Sequence, residues 1–493
     1  MYSIGYDIGI SSIKASIIEL ENGKVVASGF YPKEEMQINS PHPGFAEQDP
    51  ETWWSYAKLL TRQLISESSI DGKGIKSIGI SYQMHGLVIV DKDQNVIRPS
   101  IIWCDSRAVG IGENAFQKIG GEFCLSHLLN SPGNFTASKL RWVKENEPKN
   151  YEKINQVMLP GDFIAMKLSG EINSTISGLS EGIFWDFNRN KISEEILKQY
   201  EINSELMPKT NPTFSVQSKI RKSVADELGI SSEAVISYRA GDQPNNAFSL
   251  NVLNAGEVAA TAGTSGVVYG VIDQVNYDKF SRVNQFAHVN HTLDQTRLGV
   301  LLCINGTGIQ NSWLRKVAGS ELSYEEINQR AAEVPIGSDG VIILPFGNGA
   351  ERVLQNKNIG SQILNVDFNR HTKGHLFRAS QEGIVFSFKY GIDIMKEMGL
   401  NINVIRAGKA NMFLSPIFRQ TLANITGAMI ELYDTDGAQG AARGAAVGAG
   451  FYKSFDEAFS SLNKVGEVKP IQSEVAATGD AYSKWLNKLE MFL

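Results

Sequence analysis

Asp7 and Asp242 are the carboxylates whose neighbours best equip them for chemistry. Asp7 opens D-I-G-I-S-S-I-K, where Gly9 lets backbone N–H groups approach an anion and Ser11, Ser12 and Lys14 add compact or charged donors. A carboxylate on such a turn either caps its own backbone or faces a nucleotide and orients Mg²⁺ through water, because magnesium keeps several waters and favours oxygen ligands. Asp242 lies in R-A-G-D-Q-P-N-N-A, after an apolar run ending near Tyr238. Held between Gly241 and Pro244, it is either a plain turn residue or a general base that takes the proton of an attacking hydroxyl and aims that hydroxyl in line. A second small-residue turn, A-G-T-S-G from Ala262, offers Gly263, Thr264 and Ser265 to an anion. Two such turns, far apart in the chain, predict two similar lobes closing on the phosphates of ATP.

Each turn sits between apolar, β-branched runs: Tyr2–Tyr6 and Ile13–Leu20 around the first, Val258–Thr261 and Val267–Ile272 around the second. Asn22-Gly23 signals a tight hairpin, so the first lobe opens as an antiparallel meander. Asp49-Pro50 starts a helix over Glu51–Glu67, and strands are predicted at Ile78–Gln83 and Ile101–Trp103. Met84-His85 and Trp103 close those two strands. There they are either structural or the donor and apolar wall of a small polyol site, since ligands gather at strand ends in α/β sheets. Past Gly256 the order repeats: hairpin, strand at Leu298–Ile304, helix, strand at Val341–Phe346. Long helices are then predicted over Gly374–Met398 and Ser415–Leu432. Gly440, Gly444 and Gly448 fall at four-residue spacing, which suits a helix whose bare face approaches a sheet or a nucleotide closely.

A chain of 493 residues exceeds what one compact core holds, so two domains are expected. A net charge of −6 without any basic block argues against a nucleic-acid partner. No apolar run approaches membrane-helix length, and Cys104, Cys124 and Cys303 have neither zinc nor disulfide spacing, which fits a reducing cytoplasm.

With P-H-P-G-F-A-E-Q-D-P from Pro41, Q-M-H-G from Gln83, I-I-W-C-D-S-R from Ile101, T-A-S-K-L-R-W-V from Thr136, G-D-Q at Gly241 and H-L-F-R-A-S-Q-E-G from His375, the chain resembles the FGGY carbohydrate kinases. These belong to the actin/sugar kinase/Hsp70 superfamily. The resemblance implies an α/β fold of two ribonuclease-H-like lobes with ATP in the cleft. Residues 1–247 would hold sugar and base, 256–450 the nucleotide, and 451–493 a helical tail. It implies Asp242 as catalytic base, Asp7 as the metal-orienting carboxylate, and Met84, His85 and Gln243 as sugar contacts. It places Gly306, Gln310, Gly408 and Asn411 near the nucleotide, beside Ser11, Ser12, Thr264 and Ser265 on the phosphates. The implied reaction is ATP- and Mg²⁺-dependent phosphorylation of a pentulose, D-xylulose at its 5-hydroxyl. Ribulose, L-xylulose, gluconate and a non-catalytic sugar sensor remain alternatives, and relatives are often dimers. Three stretches depart from the family pattern. Ile10 replaces a usual Thr, Ala407 and Lys409 flank Gly408 in place of glycines, and Asn245-Asn246 replaces small residues after the base, which would alter sugar contacts.

Overall fold

The computed structural model describes all 493 residues. The first sheet has six strands: β1 (Tyr2–Ile8), β2 (Ile13–Glu19), β3 (Val25–Tyr31), β4 (Ile75–Tyr82), β5 (Ser218–Lys219) and β6 (Val235–Gly241), in the order β5-β6-β4-β1-β2-β3. The meander β1–β3 is antiparallel, and β4 and β6 add to it in parallel. The second sheet has seven: β7 (Val258–Ala262), β8 (Gly266–Ile272), β9 (Asn284–Ala287), β10 (Leu298–Ile304), β11 (Val404–Gly408), β12 (Met429–Tyr433) and β13 (Lys464–Val468), in the order β9-β10-β8-β7-β11-β12-β13. Here β7, β8 and β10 form the antiparallel meander, and β11 and β12 add in parallel. The five-strand core therefore recurs with the same order and directions, as two turns in matching contexts led one to expect.

Helix α1 (Pro50–Ser68) has Asp49 at its N-cap and buries Trp53, Ala57, Leu60 and Leu64 at helical spacing behind the first sheet. Helices α2 (Asp242–Ser249), α3 (Gly308–Ala318), α4 (Lys373–Glu397), α5 (Pro416–Thr426) and α6 (Gly437–Gly448) complete the frame around the cleft. Helix α6 lies between β12 and β13 of the second sheet in the chain but packs against β1, β4 and β6 of the first. Its glycines and alanines make this possible. A β-carbon at Gly79 would stand 1.9 Å from Ala441 O, and one at Gly5 2.1 Å from Ala438 O. Ser3 Oγ donates to Ala442 O at 2.8 Å and Ser237 Oγ to Ala445 O at 2.7 Å, tying the sheet to the helix backbone.

Three elements differ from the sequence expectation. Ser415–Leu432 is not one helix: Gly427 takes φ 72° after Thr426, and the chain resumes as strand β12 with alternating burial. The Ile101–Trp103 strand is only Ser100–Ile101, because Asp105 turns the chain, its N–H donating to Ile102 O and its carboxylate accepting from Ala46 N–H at 2.6 Å. Trp103 is left 51% exposed, outside any strand. Ile342–Phe346 is a strand, yet it pairs with Gly360–Leu364 outside the seven-stranded sheet. The place in the second sheet that corresponds to β4 is taken by β11.

Candidate active site

The first hairpin sets Asp7 opposite Lys14 and, on its other side, opposite Ser81 of β4. Residues in register share a face, so Lys14 Nζ comes to 3.9 Å from Asp7 Oδ2 and Ser81 Oγ donates to Asp7 Oδ1 at 2.9 Å. The N-terminus of α6 closes the third side, where a β-carbon at Gly437 would lie 3.0 Å from Asp7 Oδ2. Burial raises the pKa of Asp7, Lys14 and Ser81 oppose this, and Asp436, which caps α6, adds to it.

Asp242 follows the last residue of β6 and begins α2. Since β6 and β1 flank β4, the ends of these strands bring Asp242 within reach of Asp7. Burial first, and the Asp7 charge second, push the Asp242 carboxyl up to about 7, while Gln243 and Lys14 pull the other way. A carboxylate of that basicity can take up a proton near neutral pH.

His85 sits at φ 62° just past β4. Its Nδ1 lies 3.0 Å from Glu181 O, and a carbonyl can only accept, so Nδ1 carries the hydrogen. Burial, and then the Lys139 charge, lower its pKa to about 3. The ring is therefore neutral, and Nε2 presents a lone pair. Phe135 and Phe286 flank it at ring distances of 4.7 and 5.2 Å. Met84 packs beneath the Asp242 turn, its Cγ 2.5 Å from where a Gly241 β-carbon would be. Asn245 turns away from this space and donates to Gly437 O at 2.8 Å, so it anchors α6.

Two buried groups here were not singled out from the sequence. Lys139 Nζ donates to His85 O at 2.8 Å and Ile102 O at 3.0 Å, fastening the loop that carries Trp103 to the one that carries His85. Its place in T-A-S-K-L-R-W-V, on the buried side of a helix, was the available signal. Glu181 lies against Gly241 and Tyr82, and burial together with the Asp242 charge raises it well above the carboxylate range. No local pattern marks it.

The second hairpin presents Thr264 and Ser265 to solvent. Helix α3 is stapled to it, Gly308 N–H donating to Gly263 O at 2.8 Å and Ile309 N–H to Thr264 O at 3.1 Å. Gly263, Thr264, Ile309, Tyr324, Asn411 and Leu414 help line a cleft of about 480 Å³ beside it. Gly306 and Gln310 lie next door, in a cleft of about 230 Å³ with Trp313 and Pro345. Gly306 has no room for a side chain, since its β-carbon would stand 1.5 Å from Pro345 O. Gln310 Nε2 is bound to Ser380 Oγ at 3.0 Å. Gly408 ends β11 and lines neither cleft.

One cluster, Asp339, His371 and His375, has metal-like spacing away from these residues. Both histidines accept a backbone N–H at Nδ1, from Asp367 at 2.9 Å and Thr372 at 3.1 Å. A neutral ring so held carries its proton on Nε2 and has no lone pair there for a metal. Asp7 offers carboxylate oxygens, oriented by Ser81 with the Lys14 ammonium 3.9 Å away, which suits Mg²⁺ held through water.

Residues 2–249 match the N-terminal domain of the FGGY family of carbohydrate kinases, and residues 258–452 match its C-terminal domain. The chain belongs to that family. This FGGY kinase is 29% identical to the xylulose kinase of Bacillus subtilis over 468 residues, 92% of this chain and 90% of that one. It is 28% identical to the xylulose kinase of Haemophilus influenzae over 99% of each chain. In fold it is similar to the xylulose kinase from Rhodospirillum rubrum (TM-score 0.90, 23% identity, 100% and 99% of the chains covered). It is equally similar to the gluconate kinase from Lactobacillus acidophilus (TM-score 0.90, 22% identity, 99% and 98% covered). As a carbohydrate kinase it has the two-domain α/β fold of the superfamily, and kinases of this family take ATP as phosphoryl donor. No helix of the FGGY kinase is long and apolar enough to cross a membrane.

Proposed function

We propose that the protein transfers the γ-phosphoryl group of ATP to the 5-hydroxyl of D-xylulose. The observation that carries this reading is Asp242. It is held beside Asp7 at a pKa of about 7, at the end of a strand paired with the one that leads to a neutral His85, whose Nε2 can accept from a sugar hydroxyl. The whole-length likeness to xylulose kinases supports the choice of ketose.

In this reading the first lobe, residues 1–247, holds sugar and base. Residues 256–450 hold the nucleotide, and 451–493, expected as a helical tail, instead complete that lobe with strand β13 and the helix Gln472–Glu490, whose Trp485 donates to Ile343 O. The sugar lies against His85, Gln243 and Asp242, with Trp103 at the rim. Its terminal hydroxyl gives its proton to Asp242 as its oxygen bonds to the γ-phosphorus and the bond to the ADP oxygen breaks. Because the transition state is loose, the larger contribution of Asp242 is to aim the hydroxyl in line. Ser11, Ser12 and Lys14 from one hairpin and Gly263, Thr264 and Ser265 from the other receive the phosphates. Asn411 borders the larger cleft, where the adenosine would lie, and Gly306, Gln310 and Gly408 support its walls. Lys14 and Ser81 favour the ionised form of Asp7, which would orient Mg²⁺ through water. When bound, the ion neutralises charge on the ATP phosphates.

ADP release with Mg-ATP should peak on D-xylulose among D-xylulose, L-xylulose, D-ribulose, L-ribulose, D-gluconate and glycerol. A peak on another acceptor would keep the kinase and replace the ketose. Silence on all six with ATP bound would replace the kinase with a sugar-sensing protein.

A further inference from the structure

One face of the second sheet looks across the cleft at His85. Strand register sets Asn284 opposite Leu301 and Phe286 opposite Gly299, so Asn284, Phe286 and, two residues past Leu301, Cys303 share that face. It meets the first lobe at Phe286, whose ring lies 5.2 Å from His85 and 5.9 Å from Phe135.

Two polar groups at this edge are left without adequate partners. Asn284 Oδ1 is enclosed and accepts nothing. Arg352 makes only long hydrogen bonds from Nη1, to Ser281 Oγ at 3.3 Å and Ser281 O at 3.4 Å. No carboxylate pairs with it. The adjacent Glu351 is turned toward β10, where it accepts from Asn305 N–H at 2.9 Å. Ser281 lies three residues before Asn284, so its bonds to Arg352 place the guanidinium over the same edge. The guanidinium is only partly buried and has no counter-charge, so its donors are open to a ligand at this edge.

The chemistry of the groups narrows that ligand. A guanidinium only donates, whereas neutral His85 only accepts at Nε2 and Asn284 offers a second acceptor at Oδ1. Side by side they complement an oxygen that can only accept next to a hydroxyl that can donate. We propose that Arg352, with Asn284, binds the α-hydroxycarbonyl end of the acceptor, opposite the hydroxyl that is phosphorylated. A ketone beside C1–OH and a carboxylate beside C2–OH both satisfy it with an oxygen that only accepts; a polyol hydroxyl can accept there too, but must direct its own hydrogen elsewhere. The inference rests on the kinase reading above and adds to it a second-lobe contact with the sugar.

The test compares D-xylulose with xylitol, in which the carbonyl is reduced, and with D-gluconate, in wild type and in Arg352→Gln, Arg352→Lys and Asn284→Ala. Arg352→Gln should raise the KM of D-xylulose by about 10- to 100-fold, with the KM of ATP changed by no more than about twofold. The wild-type preference for ketose over xylitol, read from turnover or from inhibition constants, should collapse, and Arg352→Lys should recover part of it. A larger loss on gluconate than on xylulose would assign the bound group as carboxylate, and the reverse as ketone. Asn284→Ala should raise the same KM by about 3- to 10-fold, and it provides a neutral substitution if the arginine variants fold poorly. An unchanged ketose-to-xylitol preference in folded Arg352→Gln and Asn284→Ala would overturn the inference. Wild type inactive on every sugar would instead remove the kinase reading, and this inference with it.

Discussion

Asp242→Asn should lower kcat by about 100- to 10,000-fold while ATP binding, measured by calorimetry, changes little. The amide keeps the size of the carboxyl and can still touch the sugar hydroxyl, but it cannot take its proton. The wild-type rate should rise with pH through about 7, because only the ionised carboxylate is a base and its pKa is about 7. The same shift has a consequence for stability. A carboxyl whose folded pKa is raised contributes stability that is complete below its unfolded value, near 3.8, and is lost as pH rises through about 7. Asn removes that loss. Asp242→Asn should therefore melt above wild type, by more at pH 8 than at pH 5. A variant with near-normal turnover would take Asp242 out of the base role, and a melting difference independent of pH would contradict the raised pKa.

Gly79→Ala should be strongly destabilising, costing at least about 3 kcal/mol. The new β-carbon would stand 1.9 Å from Ala441 O and 2.6 Å from its carbonyl carbon. Both sides of that contact are backbone, one a central strand and the other a helix, so neither can rotate away. Helix α6 would have to lift from the first sheet. Its N-terminus borders Asp7, and Asn245 holds it beside the base, so kcat should fall as well. Gly479 offers the contrast. It lies within the last helix, Gln472–Glu490, with no atom within 4 Å of its β-carbon position, and Gly479→Ala should stabilise by about 0.5–1 kcal/mol through helix propensity alone. Urea midpoints for the two variants check the pair. A Gly79→Ala protein as stable as wild type would refute the tight seam.

The parts of this site that were legible in sequence are those fixed by short-range rules. Turn residues between β-branched runs mark both hairpins, and the strand before each places Asp7 and the Gly263 turn at an edge. Asp242 was legible because Gly241 and Pro244 bracket it after an apolar strand. The Gly440–Gly444–Gly448 spacing correctly implied close backbone approach, but the partner sheet is built from residues 2–8, 75–82 and 235–241, which no local pattern connects to it. Lys139 and Glu181 were missed for the same reason, since their roles arise from contacts made across long stretches of chain. Trp103 and the Ser415–Leu432 segment were misread where a single residue, Asp105 or Gly427, ends an apolar run that periodicity alone would continue.

The central claim is that this chain moves a phosphoryl group from ATP to the terminal hydroxyl of a ketose. Phosphorus-31 NMR of the protein with Mg-ATP and D-xylulose tests it most directly. The expected spectrum gains one phosphomonoester, split by the two protons of a terminal CH₂, for each ADP formed. Inorganic phosphate in place of the ester, or an ester coupled to a single CH proton, would contradict it.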